Sequence, residues 1–360
     1  MILTEEQLWI REWEVSSELL YYSVIAVSSA TVPILLLLLI LMRAHRTSQY
    51  FPYMCAIICA NLLLLSTIVF VVVKNSWDFL FDILPGSIVC KLSAFIVNAS
   101  SCFIHWTWVA MYSQRFLHIF FPLRSRRRLP RNPRNTLAVI LMTSMLLQSW
   151  ALITITEIRE QSAGSDYDRM YCGEHPSSVS QIILLMETTS TFFIPFALTV
   201  LADISVLVHR TPWRTPFKLI SADNLRINHH SSSEHMKIVS KLNLESTEKR
   251  RVAAIKRCLI SATVTLLLNL PNCLLQVIDE FTSIQNHPQI LIRRLYLRAD
   301  ALCYILYLLQ FPLVPLNMYF LRQNITRSSK KLKEKISMQH EWSKSFQVEM
   351  NEASRNTLLS

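Results

Sequence analysis

Apolar residues in this chain are gathered into long blocks separated by short charged connections. Seven blocks stand out, at about Leu20–Met42, Phe51–Val73, Ile88–Phe121, Thr136–Thr156, Val179–Val208, Val252–Ile278 and Leu295–Leu321. A helix needs roughly 20 apolar residues to cross a bilayer. Within lipid the backbone must satisfy its own hydrogen bonds, which selects helices over open sheets. The third and sixth blocks carry polar residues and are expected to face the interior of a bundle. The pattern predicts an all-α membrane protein, a seven-transmembrane helix bundle.

Charge orients the bundle. The first, third and fifth connections and the C-terminal stretch hold 25 Lys and Arg, against 6 on the other side. The positive side stays cytoplasmic, so the N-terminus is expected outside and the C-terminus inside. Residues 1–19 then form an extracellular tail and 20–321 the transmembrane domain, with a cytoplasmic third intracellular loop at about 209–251. A short amphipathic eighth helix on the membrane is expected from Phe320 to Leu332, overlapping the end of that domain, and 322–360 is expected to hold the rest of it and a disordered tail. The acidic first 19 residues do not resemble a cleavable signal, so the first helix is expected to serve as the insertion signal. The net charge of +11 is accounted for by topology and calls for no nucleic acid. The expected location is the cell membrane, as a multi-pass protein in contact with the lipid bilayer.

The eight cysteines divide by compartment. Cys55, Cys59, Cys102, Cys258, Cys273 and Cys303 fall inside helices, where a thiol acts as a small apolar group. Cys90 and Cys172 reach the outer face, where disulfides persist. Their pairing would tie the top of the third helix to the loop after the fourth; the alternative is two free outer thiols.

A charge at the cytoplasmic mouth of the third helix, Arg115 in Gln114-Arg115-Phe116, marks a functional position. Together with the seven helices, the orientation and the two outer cysteines, it resembles the rhodopsin-like (class A) G-protein-coupled receptors over about residues 20–335. In that family the arginine sits in an Asp/Glu-Arg-Tyr triplet with a proline in the following loop, here Pro122. Cys90-Lys91-Leu92, Trp150, Pro195 in Phe193-Ile194-Pro195-Phe196 and Pro271 in Asn269-Leu270-Pro271-Asn272 match further family positions in order. The resemblance implies an activation switch of Gln114, Arg115 and Phe116, and a heterotrimeric G protein as cytoplasmic partner.

Departures from the family pattern are informative. Asn61 replaces the sodium-holding aspartate of the second helix, and a neutral amide binds a cation poorly. Pro33 stands where the first helix usually carries asparagine. Asn269 replaces the toggle tryptophan of the sixth helix, and Asp203 occupies a fifth-helix tyrosine position. The end of the seventh helix is altered to Val314-Pro315-Leu316-Asn317-Met318, with Tyr319 one place late. Arginine is always charged and can exchange partners. With Gln114 supplying no charge beside it, Asp203 is a candidate counter-ion for Arg115.

The outer face is acidic, with 14 Asp and Glu against 6 Lys and Arg, which steers cationic ligands inward. Glu187, eight residues before Pro195, is expected in the upper half of the fifth helix. Gln276, Asp279 and Glu280 near the top of the sixth, and Arg298 and Asp300 in the seventh, complete the candidate ligand site. An acid at this depth needs a basic partner, from a ligand or from a residue such as Arg298. Val97, 18 residues before Arg115, occupies the position where amine receptors carry aspartate, which argues against a biogenic amine. No lysine lies in 301–313, excluding a covalent retinal. The expected ligand is a basic extracellular peptide, a reading supported by resemblance to invertebrate neuropeptide receptors, with Arg-Phe-amide-type peptides as one candidate class.

A chemosensory receptor for a small odorant-like molecule is the alternative. A transporter or channel is more remote, because no internal repeat is visible and the chain has only three glycines. No cofactor, catalytic group or metal site is expected. His105 lies between apolar neighbours as a packing residue, and His229-His230 lies in a solvated loop.

Overall fold

The computed structural model describes residues 5–43, 51–76, 86–120, 132–160, 169–174, 178–208, 263–282, 284 and 289–316. Helix α1 spans Glu5–Arg43 and α2 spans Phe51–Ser76. Val24, Ser28, Thr31, Leu35, Leu38 and Met42 are buried at alternating spacings of four and three, the stripe expected of one helix face meeting a neighbour. That neighbour is α2. Ser28 and Thr31 in the stripe are small enough to let two backbones approach. Asn61 of α2 is buried and turns its amide onto the carbonyl of Ile57 at 2.7 Å, which satisfies the donor within its own helix.

Helix α3, Gly86–Phe120, is the central strut. It packs against α2, against both parts of the fourth span, against the fifth span and against the first strand. The fourth span consists of α4, Pro133–Leu147, a turn through Gln148–Trp150, and the short α5, Ala151–Thr154. Asn132 caps α4 by accepting from the Arg134 N–H at 3.3 Å, and Pro133 at the first position is pre-set for a helix.

Strands β1, Ile155–Glu160, and β2, Arg169–Glu174, form an antiparallel hairpin in which Glu157 faces Cys172. The fifth span runs through α6, Ser178–Thr188, a π turn, Thr189–Phe193, and α7, Ile194–Val208. Two further helices, α8 at 263–282 and α9 at Ile290–Leu316, close the sequence of spans.

Six helices among the described residues have the length and apolarity to cross a membrane. The seventh member of the bundle is α8, whose Asn269, Asn272, Gln276, Asp279 and Glu280 dilute its apolar content. The part of the sixth block at 252–262 lies outside the described residues. So do the third intracellular loop, Asn317, Tyr319 and the expected eighth helix.

Several boundaries differ from the sequence reading, among them the start of α9 at Ile290 and the end of α8 at 282, and two have a local cause. Helix α1 starts at Glu5, well before Leu20, because the residues ahead of the apolar block include no proline or glycine to stop it. The fourth span ends at Thr154, and Thr156 belongs to β1. The run Ile153-Thr154-Ile155-Thr156 is β-branched throughout, which favours the extended state once packing no longer imposes a helix.

A disulfide joins Cys90, buried near the start of α3, to Cys172 in β2, with 5.6 Å between their Cα atoms and a sequence separation of 82. It fixes the hairpin to the outer end of the central strut. Replacing Cys90 by Ser is expected to lower stability by about 2–4 kcal/mol, read as a reduced thermal midpoint of the detergent-solubilised protein. The Cys90→Ser, Cys172→Ser double variant should lose no more than either single one if the bond itself is what stabilises.

Candidate functional site

Midway through the bundle, a chain of buried polar groups crosses four spans. His105 on α3 is 5% exposed, and Asn269 on α8 and Gln310 on α9 are equally sequestered. The His105 ring meets the Thr191 carbonyl through Nδ1 at 2.9 Å and the Asn269 side-chain amide through Nε2 at 3.4 Å. The same Asn269 nitrogen donates to Gln310 Oε1 at 3.3 Å.

These partners fix the protons. A carbonyl can only accept, so Nδ1 carries the hydrogen, and Nε2 of the neutral ring is left to accept from Asn269. Both amide hydrogens of Asn269 are then used. Buried polar groups in a bundle interior are tolerated when they are paired in this way.

The π turn supplies the odd acceptors. The Ile194 N–H reaches back five residues to the Thr189 carbonyl, so the Ser190 carbonyl loses its usual donor. Pro195 has no N–H to offer the Thr191 carbonyl. Both oxygens are taken up by α3: Trp106 Nε1 donates to Ser190 at 3.1 Å and His105 to Thr191. Gln148 of the fourth span adds a bond from Nε2 to Thr191 Oγ1 at 3.0 Å. Phe192, fully buried, stacks on Phe196 and meets the His105 ring edge-on.

Outward of this junction lie the expected ligand residues. Glu187 is half-buried, and its carboxylate is within electrostatic reach of the Cys102 and Cys273 thiols on α3 and α8. It therefore faces the interior. Asp279 on α8 and Asp300 on α9 are half-buried and within electrostatic reach of each other. Tyr304, one turn below Asp300, leads to Tyr307 and Phe311 in a continuous aromatic row on α9. Gln181 Nε2 donates to the Glu280 carbonyl at 3.1 Å, tying the top of the fifth span to α8. Gln276 and Arg298 occupy exposed positions on their helices.

At the cytoplasmic end, Gln114 is half-buried and its Oε1 has no hydrogen-bond partner among the described residues. Arg115 and Phe116 continue α3, and Asp203 lies in α7, which packs against α3. The side chains of these three lie outside the described residues. Trp150 ends the turn that separates α4 from α5, Pro271 lies within α8, and Pro315 is buried near the end of α9.

Sequence reasoning treated His105 as a packing residue and Asn269 as a missing tryptophan. The structure joins them, and adds Thr191, Gln148 and Gln310. The available signal was three amide side chains, Gln148, Asn269 and Gln310, set in largely apolar runs.

A bundle of membrane helices, an outer hairpin bridged to the third helix and a polar centre are the architecture of a seven-helix membrane receptor. The chain belongs to the rhodopsin family of seven-transmembrane receptors, whose sequence pattern matches residues 33–310, and is a multi-pass protein of the cell membrane. It is similar to a probable G-protein coupled receptor of Caenorhabditis elegans, with 24% identity over 218 residues. That match covers 52% of this chain and 57% of the relative, little more than half of each.

Asn269→Leu should strand both His105 Nε2 and Gln310 Oε1. Interhelical bonds in membranes contribute about 0.6 kcal/mol on average and up to about 1.7, so the loss should be on the order of 1–3 kcal/mol in thermal unfolding. Adding Gln310→Leu should cost less than a second independent lesion, because its partner is already gone.

Proposed function

We propose that this receptor binds a basic extracellular peptide at its outer end and signals through a heterotrimeric G protein at its cytoplasmic end. The observation that supports the ligand class is the approach of two acids from neighbouring spans, Asp279 of α8 and Asp300 of α9, with the half-buried Glu187 on α6 near Cys273 of α8. A cationic group placed beside carboxylates in a partly desolvated space is favoured electrostatically. The acidic outer connections would raise the local concentration of such a ligand before it enters. Tyr304, half-buried beside Asp300, offers an aromatic face to the same ligand, suited to an arginine or an aromatic side chain.

The switch is proposed to be Arg115, with Asp203 on the neighbouring α7 as the counter-ion that restrains it. In this reading Gln114, neutral where the family carries an acid, leaves the restraint to the fifth span. Asp203→Asn is then expected to raise basal signalling in receptor that reaches the surface. Unchanged basal signalling at equal surface density would remove the pair from the mechanism.

The ligand class is tested by expressing the full chain with a promiscuous G protein and recording calcium release against basic amidated peptides. A saturable response is expected, weakened by Glu187→Gln and abolished by Arg115→Ala at unchanged surface expression. Silence to every peptide, with responses to uncharged small molecules, would transfer the receptor to the chemosensory class.

A further inference from the structure

The π turn inserts one extra residue into the fifth span between Glu187 and α7. An α-helix turns about 100° per residue. A π turn absorbs an extra residue without advancing the helix by that angle. Everything N-terminal to Thr189, Glu187 included, is therefore rotated by about one residue step relative to a regular helix. In a regular helix through the same sequence, Thr188 would point where Glu187 now points.

The turn is not self-supporting. It leaves the Ser190 and Thr191 carbonyls without helix donors, and Trp106 and His105 supply the replacements. A regular α register would return the Ile194 N–H to Ser190 and leave only Thr191 unsatisfied, because of Pro195. Without its two α3 donors, the π turn would hold one more orphaned carbonyl than the α register does. Unpaired backbone groups are costly in a membrane interior. The choice of register thus rests on two side chains that lie on another helix.

We propose that His105 and Trp106 are positioning residues for ligand recognition: by holding the π turn open they aim Glu187, rather than Thr188, into the ligand space. The identity of the acid as a ligand group rests on the peptide reading above; its direction does not. The two adjacent residues reach from α3 onto two adjacent carbonyls, so one neighbouring helix sets the register.

The test reads direction without a ligand. Glu187→Cys and Thr188→Cys are made separately in full-length receptor whose native Cys273 and Cys303 are replaced by Ser. Intact cells are treated with a small cationic methanethiosulfonate reagent, and modification is measured on the surface-labelled pool only. In the parent background the thiol at 187 should react and that at 188 should not. Trp106→Phe, which removes one bond, should shift reactivity partly from 187 to 188. His105→Phe with Trp106→Phe should complete the exchange. Deleting one residue within 189–193 of that double variant should return reactivity to 187, because a regular helix one residue shorter restores the original angle.

Reactivity that stays at 187 in both α3 variants would overturn the inference, as would loss at both positions without recovery on deletion. An unreactive thiol at 187 in the parent background would instead count against Glu187 as a ligand residue, and so against the peptide reading as well as the aiming of this acid.

Discussion

Backbone carbonyls inside a membrane bundle are costly unless the protein supplies them a donor, and the fifth span fails to do this alone. Its π turn and Pro195 release two carbonyls into the interior. The whole central junction can be understood as the response. His105 and Trp106 are placed on one stretch of α3 to receive those oxygens, and Gln148 binds the Thr191 hydroxyl from the fourth span. Asn269 and Gln310 then continue the pairing into α8 and α9. A defect in one helix becomes the reason that several helices are joined.

The junction also explains how the chain manages without a tryptophan in the middle of α8. A bulky indole would fill this space by packing, whereas Asn269 fills it by donating two hydrogen bonds at once. The amide is short and directional, so its bonds depend on helix positions more sharply than apolar contact does. Motion of α8 relative to α3 and α9 must break or trade these bonds, which makes the centre a place where discrete arrangements compete. The substitution replaces one kind of conformational coupling with another.

Much of the fold was legible in the sequence, because the bilayer imposes a length and an apolarity that single-residue choices cannot disguise. The run from Ile88 to Phe121 differs from α3 by a residue or two at each end. The pairing of Cys90 with Cys172 followed from compartment alone. Other features were hidden for identifiable reasons. The hairpin at 155–174 lies in a connection, where alternation is short and is overwritten by charge. The π turn leaves no compositional trace in Thr189-Ser190-Thr191-Phe192-Phe193, since its cause lies partly in Pro195 and partly in donors 84 and 86 residues away. Glu187 could be assigned a depth from its distance to Pro195. Its azimuth could not be assigned, because one extra residue between the two changes the facing.

Helix α3 touches the hairpin at its outer end, the fifth span at its middle, and α7 as it approaches the cytoplasm. It is also riveted to the hairpin by a covalent bond. A load applied to the hairpin therefore bears on a continuous rod about 50 Å long at the usual helical rise. A rod shortens very little, so it transmits displacement rather than absorbing it. One uninterrupted piece of backbone thus runs from the bridged outer hairpin to Arg115, where it meets the cell interior.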